Sequence, residues 1–243
     1  MKLDVLVMAP HPDDTELGAG GTIAKLVAAG KKVGILDLTR GEMGSRGSAE
    51  LRDQEAARAA EILGVSVREN LAFRDAFFTH DEEHIREIIK VVRRYQPDLV
   101  IANAPEDRHP DHGRASKLIR DAVFLSGLRK IETEENGQPQ EFWRPRRTFF
   151  FIQDYNLTPT FVIDITDHWE TKKKAVLAYT SQFFAPGEYE AAADEPETYI
   201  SNPDFLNFVE GRARNTGHLI GATMGEGFIS ETPLGVGSPL DLL

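Results

Sequence analysis

The chain has 243 residues, 41% hydrophobic and 28% charged, a composition of folded globular proteins rather than disordered or fibrous ones. Its formal net charge of −11 disfavours nucleic acid as a partner, and no apolar run reaches the roughly 20 residues of a membrane span. Cysteine is absent, which removes disulfides, thiolate nucleophiles and cysteine-zinc sites and fits a cytoplasmic protein.

Residues 3–9, "LDVLVMA", predict a buried strand without the basic leader or small-residue cleavage site of a signal peptide. A helix is expected over 20–30, closed by Gly30, then a strand over 31–39. An alanine-rich helix over 49–63 ends at Gly64, a short strand follows near 67–73, and a helix from about 81 to 95 stops before Pro97. A second strongly apolar strand, 98–105, precedes a helix over 112–125. Residues 127–147 are polar and irregular, "TFFFIQDY" and "TFVIDI" read as two more strands, and a helix near 167–180 leads into a looser tail. This alternation predicts an α/β fold: a Rossmann-like, mostly parallel sheet with helices on both faces, in a single domain. Residues 1–126 form its core, and 127–243 add strands, a helix and a tail that lines the site.

Both apolar strands run straight into ionisable clusters. The first carries His11, Asp13, Asp14 and Glu16, and the second, "EDRHPDHGR", carries His109, Asp111 and His112. Taken singly, "HPDD" reads equally well as a capped turn and "HPDH" as a polar loop. In a doubly wound sheet, however, ligands bind beyond the carboxyl ends of the strands, which gives the clusters a reason to meet. Imidazole and carboxylate are the usual non-thiolate zinc ligands, and a catalytic site keeps three of them and an open position. We therefore expect His11, Asp14 and His112 to hold zinc, with ferrous iron the alternative for the same donors. Asp13 fits a general base. His109 fits an imidazolium that stabilises an oxyanion and protonates a leaving amine, with Asp111 orienting it. The chemistry expected is metal-assisted hydrolysis of an amide or ester.

A rival reading takes "LGAGGTIAKLVAAG" as a glycine-rich phosphate turn and Asp37 as its acidic partner, making a non-catalytic nucleotide-binding module. Against it, Ile23 stands where the third glycine belongs, and the glycines follow the strand only after the polar insertion. Close packing of the first helix beneath the metal loop explains them instead.

The motifs "PHPDD" and "HPDH" resemble the zinc-dependent N-acetylglucosaminyl deacetylases, the LmbE-like and PIG-L enzymes. The stretches "TRGEMGSRGSAELRDQEAARAAEILGVSVRENL", "EDRHPDHGRASKLIRDAVFLSGLRKIET" and "FVIDITDHWETKKKAVLAYTSQF" resemble the bacillithiol branch, to about residue 184. The resemblance implies a Rossmann-like core and removal of acetate from N-acetylglucosaminyl malate. Deacetylation of chitobiose-like sugars and amide hydrolysis of glucosaminyl thiol conjugates are the neighbouring activities. By position it makes His11, Asp14 and His112 the ligands, Asp13 the base, and His109 with Asp111 the oxyanion or acid group. Arg52 becomes the sugar-contacting arginine, Asp75 a partner of sugar hydroxyls, in "RDA" where the family commonly reads "PDG", and Glu42 a further candidate. Charge complementarity offers Arg108 or Arg144 for a malate carboxylate. "GEGF" at 225–228 resembles a terminal motif expected near the site, and the branch implies a homo-oligomer, often a hexamer.

Overall fold

The computed structural model describes residues 1–184, 187, 189 and 195–238. Strand β1 (Val5–Ala9) is buried throughout and ends in a turn from which helix α1 (Asp14–Ala28) departs. There follow β2 (Val33–Thr39), α2 (Ala49–Leu63), β3 (Val67–Phe73), α3 (Glu82–Tyr95), β4 (Leu99–Ala102) and α4 (Pro110–Ser126). Local chemistry sets these boundaries. The Ser48 hydroxyl accepts the Leu51 N–H to start α2, and left-handed Gly64 (φ 72°) ends it. Asp81 caps α3 in the same way, accepting the His84 N–H.

A small hairpin, β5 (Glu134–Glu135) with β6 (Gln138–Pro139), interrupts the irregular stretch. The chain then adds β7 (Arg147–Phe151), β8 (Phe161–Asp164), α5 (Trp169–Leu177), α6 (Pro203–His218) and β9 (Gly225–Ile229). One sheet of order β3-β2-β1-β4-β7-β9-β8 results. Its first five strands are parallel, and β9 runs antiparallel between β7 and β8.

Side-chain alternation splits the core between the two faces. Leu6 and Met8 of β1 and Leu36 and Leu38 of β2 pack with Ile88 and Val92 of α3 and Leu118 and Ile119 of α4. Val5, Val7 and Ala9, with Val33 and Ile35, pack with Ala19 and Ile23 of α1, Leu63 of α2 and Ala175 of α5. A one-residue slip of β1 would exchange the two sets, so packing fixes its register and where His11 emerges.

Several boundaries differ from expectation, β4 stopping at Ala102 and β7 at Phe151 among them. Helix α1 starts at Asp14 instead of 20, its first backbone bond running from the Leu17 N–H to the Asp13 carbonyl at 3.0 Å. Helix α4 starts at Pro110 instead of 112, because proline suits the first turn and the His109 side chain caps it. The tail is not loose: α6 is a full helix, and β9 enters the sheet. Strand β1 has β2 on one side and β4 on the other, and the chain reverses its progress across the sheet between β1 and β4. Both polar motifs leave the sheet at this switch point.

Candidate active site

The two motifs meet through Asp14. Its Oδ2 lies 3.1 Å from His11 Nδ1 and its Oδ1 3.2 Å from His112 Nε2. The carboxylate also accepts the His11 N–H at 3.0 Å and the Gln153 side-chain amide at 2.6 Å. Asp14 is set by the first turn of α1, His112 by that of α4, and His11 by the turn leaving β1, so tertiary pairing of β1 with β4 assembles the group.

The other nitrogen of each ring is also held. His11 Nε2 meets Asp75 Oδ1 at 3.1 Å and Asp111 Oδ2 at 3.3 Å, while His112 Nδ1 meets Asp107 Oδ2 at 2.8 Å. The Asp111 carboxylate therefore does not orient the His109 ring as expected, and it is the Asp111 backbone N–H that meets His109 Nδ1. The carboxylate turns to His11, the Ala76 N–H and Arg114, because α4 begins early enough to swing it toward the turn after β3. Asp75 likewise touches the His11 ring, and Glu42 accepts the Asp75 N–H at 2.8 Å. Asp107 and Gln153 were missed by sequence reasoning. Asp107 lay inside the polar cluster but without the spacing of a ligand, and nothing local marks Gln153.

Asp13 occupies a backbone conformation rare for a side-chain-bearing residue, φ 110°, a strain of about 1–3 kcal/mol that the surroundings must impose. Buried Arg52 supplies part of that, donating to the Pro12 carbonyl at 2.7 Å and to Asp13 Oδ2 at 3.2 Å. Gly41 (φ 67°) leaves room for the guanidinium, since a Cβ there would come 3.0 Å from Arg52 Nη2. Burial pushes the Asp13 carboxyl up to about 7 against the pull of Arg52. His109, half-buried and 4.8 Å from the His11 ring centroid, is depressed by burial and by the positive charge of His11 and His112. Its Nδ1 accepts the Asp111 N–H, so the neutral ring carries its proton on Nε2.

Glu16 belongs to a different structure. Arg68 bridges Glu16, at 2.5 Å, and both oxygens of Asp37, at 2.7 and 2.9 Å, with none of the three side chains more than 8% exposed. Asp37 is thus occupied and cannot meet a ribose. Gly18, Gly20 and Gly21 lie inside α1, not in a strand-to-helix turn, and added Cβ atoms would stand 2.0 Å from Phe151, 3.2 Å from Lys172 and 2.6 Å from Ile165. The glycines serve packing, and the nucleotide-binding reading loses both of its supports.

A cleft of about 440 Å³ opens over this centre, with His11, Asp13, Asp14, Arg52, Asp75, His109 and His112 on its floor. Helix α6 contributes Phe205, Phe208 and Val209 to the cleft wall. Arg108 lines the cleft, half-exposed, its Nε 3.3 Å from Asp154 and its guanidinium over the Tyr199 ring. Arg144 does not line it. It folds over Phe124 and donates to the Phe124 carbonyl near the far end of α4, roughly 20 Å of helix from His112. "GEGF" does reach the site: Gly225, Glu226 and Gly227 line the cleft.

The donor set suits a divalent cation. Ligands about 2.0–2.1 Å from a tetrahedral zinc lie about 3.3 Å apart, and Asp14 approaches the two rings at 3.1 and 3.2 Å, through Oδ2 to His11 and Oδ1 to His112. Among the described residues, ligand atoms of His11, His109 and His112 fall within 4.8 Å of one another, as do those of His11, Asp75 and Asp111, while Asp14 belongs to neither group and joins them through its contacts to the two rings. Charge points the same way. Burial disfavours a charged His112, yet Asp14 and Asp107 lift it to about 9, and the carboxylates around His11 raise that ring as well. The carboxylates crowded after β1 thus favour positive charge at the two rings among them.

A family described as PIG-L, GlcNAc-PI de-N-acetylase, matches residues 6–123, the span carrying both motifs. A diacetylchitobiose deacetylase of Thermococcus kodakarensis is 35% identical over 189 residues, 74% of this chain and 70% of that protein. A probable N-acetyl-α-D-glucosaminyl L-malate deacetylase of Bacillus anthracis is 28% identical over 83% of this chain and 93% of its own length. Among solved structures, the conserved protein TT1542 of Thermus thermophilus superposes with a TM-score of 0.84 at 39% identity, covering 98% of both chains.

Proposed function

This chain belongs to the PIG-L/LmbE-like deacetylase family, and on that premise we propose that it hydrolyses the acetamide of a small N-acetylglucosamine conjugate, N-acetylglucosaminyl malate being the substrate we assign. The observation that carries the reading is the Asp14 carboxylate lying between two imidazoles, with Asp13 beside it in the same cleft. His11, Asp14 and His112 would hold the cation, zinc or ferrous iron, which when bound polarises the acetyl carbonyl and acidifies water.

The chain's own groups then divide the work. Asp13 takes a proton from the attacking water as its oxygen bonds to the acetyl carbon. His109 donates its Nε2–H to the carbonyl oxygen as negative charge gathers there. As the C–N bond breaks, the proton held by Asp13 passes to the nitrogen, giving acetate and a free amine. Asp111 and Asp75 hold the His11 ring, Glu42 holds the Asp75 backbone, and Arg52 holds Asp13. Arg52 and Asp75 also line the floor where sugar hydroxyls would rest, and Arg108 is the cation we assign to a malate carboxylate. Following the resemblance, we place the enzyme in the cytoplasm as a homo-oligomer. Among the described residues no helix is long and apolar enough to cross a membrane.

A second reading, deacetylation of chitobiose-like sugars, is favoured by the 35% identity to the Thermococcus enzyme. Acetate release from N-acetylglucosaminyl malate and from diacetylchitobiose, before chelation, after it and after zinc is restored, tests both. Release from the malate conjugate that vanishes and returns supports the assignment. Faster turnover of the disaccharide transfers it to the second reading, and no release from either rejects both.

A further inference from the structure

Asp107 has no place in the chemistry above, yet its side chain is 0% exposed and meets a ligand candidate. Its two oxygens have separate tasks. Oδ1 accepts three backbone N–H groups, Arg108 at 2.8 Å, Tyr155 at 3.0 Å and Asp154 at 3.2 Å. Oδ2 faces His112 Nδ1 at 2.8 Å and shares the Asp154 N–H only at 3.4 Å. An ionised carboxylate only accepts, so Nδ1 must donate, and in the neutral ring the Nε2 lone pair is left to face Asp14. That is the tautomer a metal needs.

We propose that Asp107 is the positioning residue of the metal centre, fixing the Nδ1–H tautomer and ring orientation of His112 while anchoring the cleft wall at residues 154–155 to the same ligand. The inference rests on the metal reading of the site. His11 has two carboxylates on its second nitrogen, whereas His112 has Asp107. Removing Asp107's acceptor therefore leaves His112 with no carboxylate at Nδ1 among the described residues.

Asp107→Asn separates positioning from scaffolding. The new amide oxygen keeps the three backbone N–H donors, and Arg212 still donates to the carbonyls of Asp154 and Tyr155, so the loop stays in place. A flipped amide would orphan those donors. The amide NH2 is thereby forced toward His112 Nδ1, where it donates, and the ring proton moves to Nε2, the wrong nitrogen.

The test is Zn2+ affinity of wild type and D107N by competition with a chromophoric chelator, with thermal melts of both metal-free proteins. Zn2+ binding weaker by about 10–100-fold, with the metal-free melting temperature unchanged, is the expected result. A folded variant that binds Zn2+ within about twofold of wild type overturns the proposal. Imidazole 15N shifts of zinc-loaded wild type give a check independent of the variant: a protonated Nδ1 on His112 is expected, and an unprotonated one overturns it. If wild type takes up neither Zn2+ nor Fe2+, the metal reading itself fails and this inference with it, an outcome visible separately because wild type is measured alongside.

Discussion

Replacing Glu226 with Gln tests whether the last strand supports the loop that carries Asp14. Lys172 of α5 donates to Glu226 Oε1 at 2.6 Å and to the Leu17 carbonyl at 2.7 Å. The two Glu226 oxygens accept the N–H groups of Gly21 and Thr22 at 2.9 and 2.7 Å. In a regular α-helix the Gly21 N–H would bond to the Leu17 carbonyl, so the ion pair engages both partners of one rung of α1, a turn beyond Asp14. Glutamine keeps the shape and an acceptor but leaves the Lys172 ammonium without its counter-charge, with the two side chains only 4% and 3% exposed. Removing one partner of a buried pair costs about 3–5 kcal/mol. A loss of about 4 kcal/mol is a fall in melting temperature of about 8–16 °C for a chain of this size. Urea and thermal unfolding measure it, and Lys172→Met/Glu226→Gln should recover part of the loss. A loss below about 1 kcal/mol in the single variant would refute the reasoning, since no unpaired buried charge could then have been created.

Asp13→Ala should keep its metal and lose at least about 10²-fold in kcat, and loss of metal as complete as in His11→Ala would show that the adjacent aspartates have been assigned wrongly. Gly18→Ala should destabilise by about 1–3 kcal/mol despite alanine's better helix propensity, because its Cβ would lie 2.0 Å from Phe151; a neutral result in urea unfolding would refute the packing role of that glycine. Arg108→Ala should raise KM for the malate conjugate by about tenfold or more while Arg144→Ala leaves it unchanged, and an equal effect of both would contradict their placement.

The strand-helix alternation was legible along the chain because each element carries its own pattern: apolar runs for β1 and β4, Ser48 and Gly64 around α2, Asp81 before α3. The pairing of "HPDD" with "HPDH" was legible too, since parallel strands deliver their carboxyl ends to one edge. The early starts of α1 and α4 were not, because "HPDD" and "HPDH" look like loop when their caps are not visible. Nor was the division among carboxylates. Glu16, Asp75, Asp107 and Asp111 are the same kind of group in the sequence, and only their partners separate them: Arg68 for the first, the His11 ring for Asp75 and Asp111, the His112 ring for Asp107. The same holds for the arginines, with Arg108 in the cleft and Arg144 at the far end of α4. Residue type and local spacing determine which chemistry a chain can perform, because a ligand set needs imidazoles and carboxylates whatever the fold. Which of them perform it is decided by distances of about 3 Å between residues 40 to 140 positions apart, and only the packed sheet sets those distances.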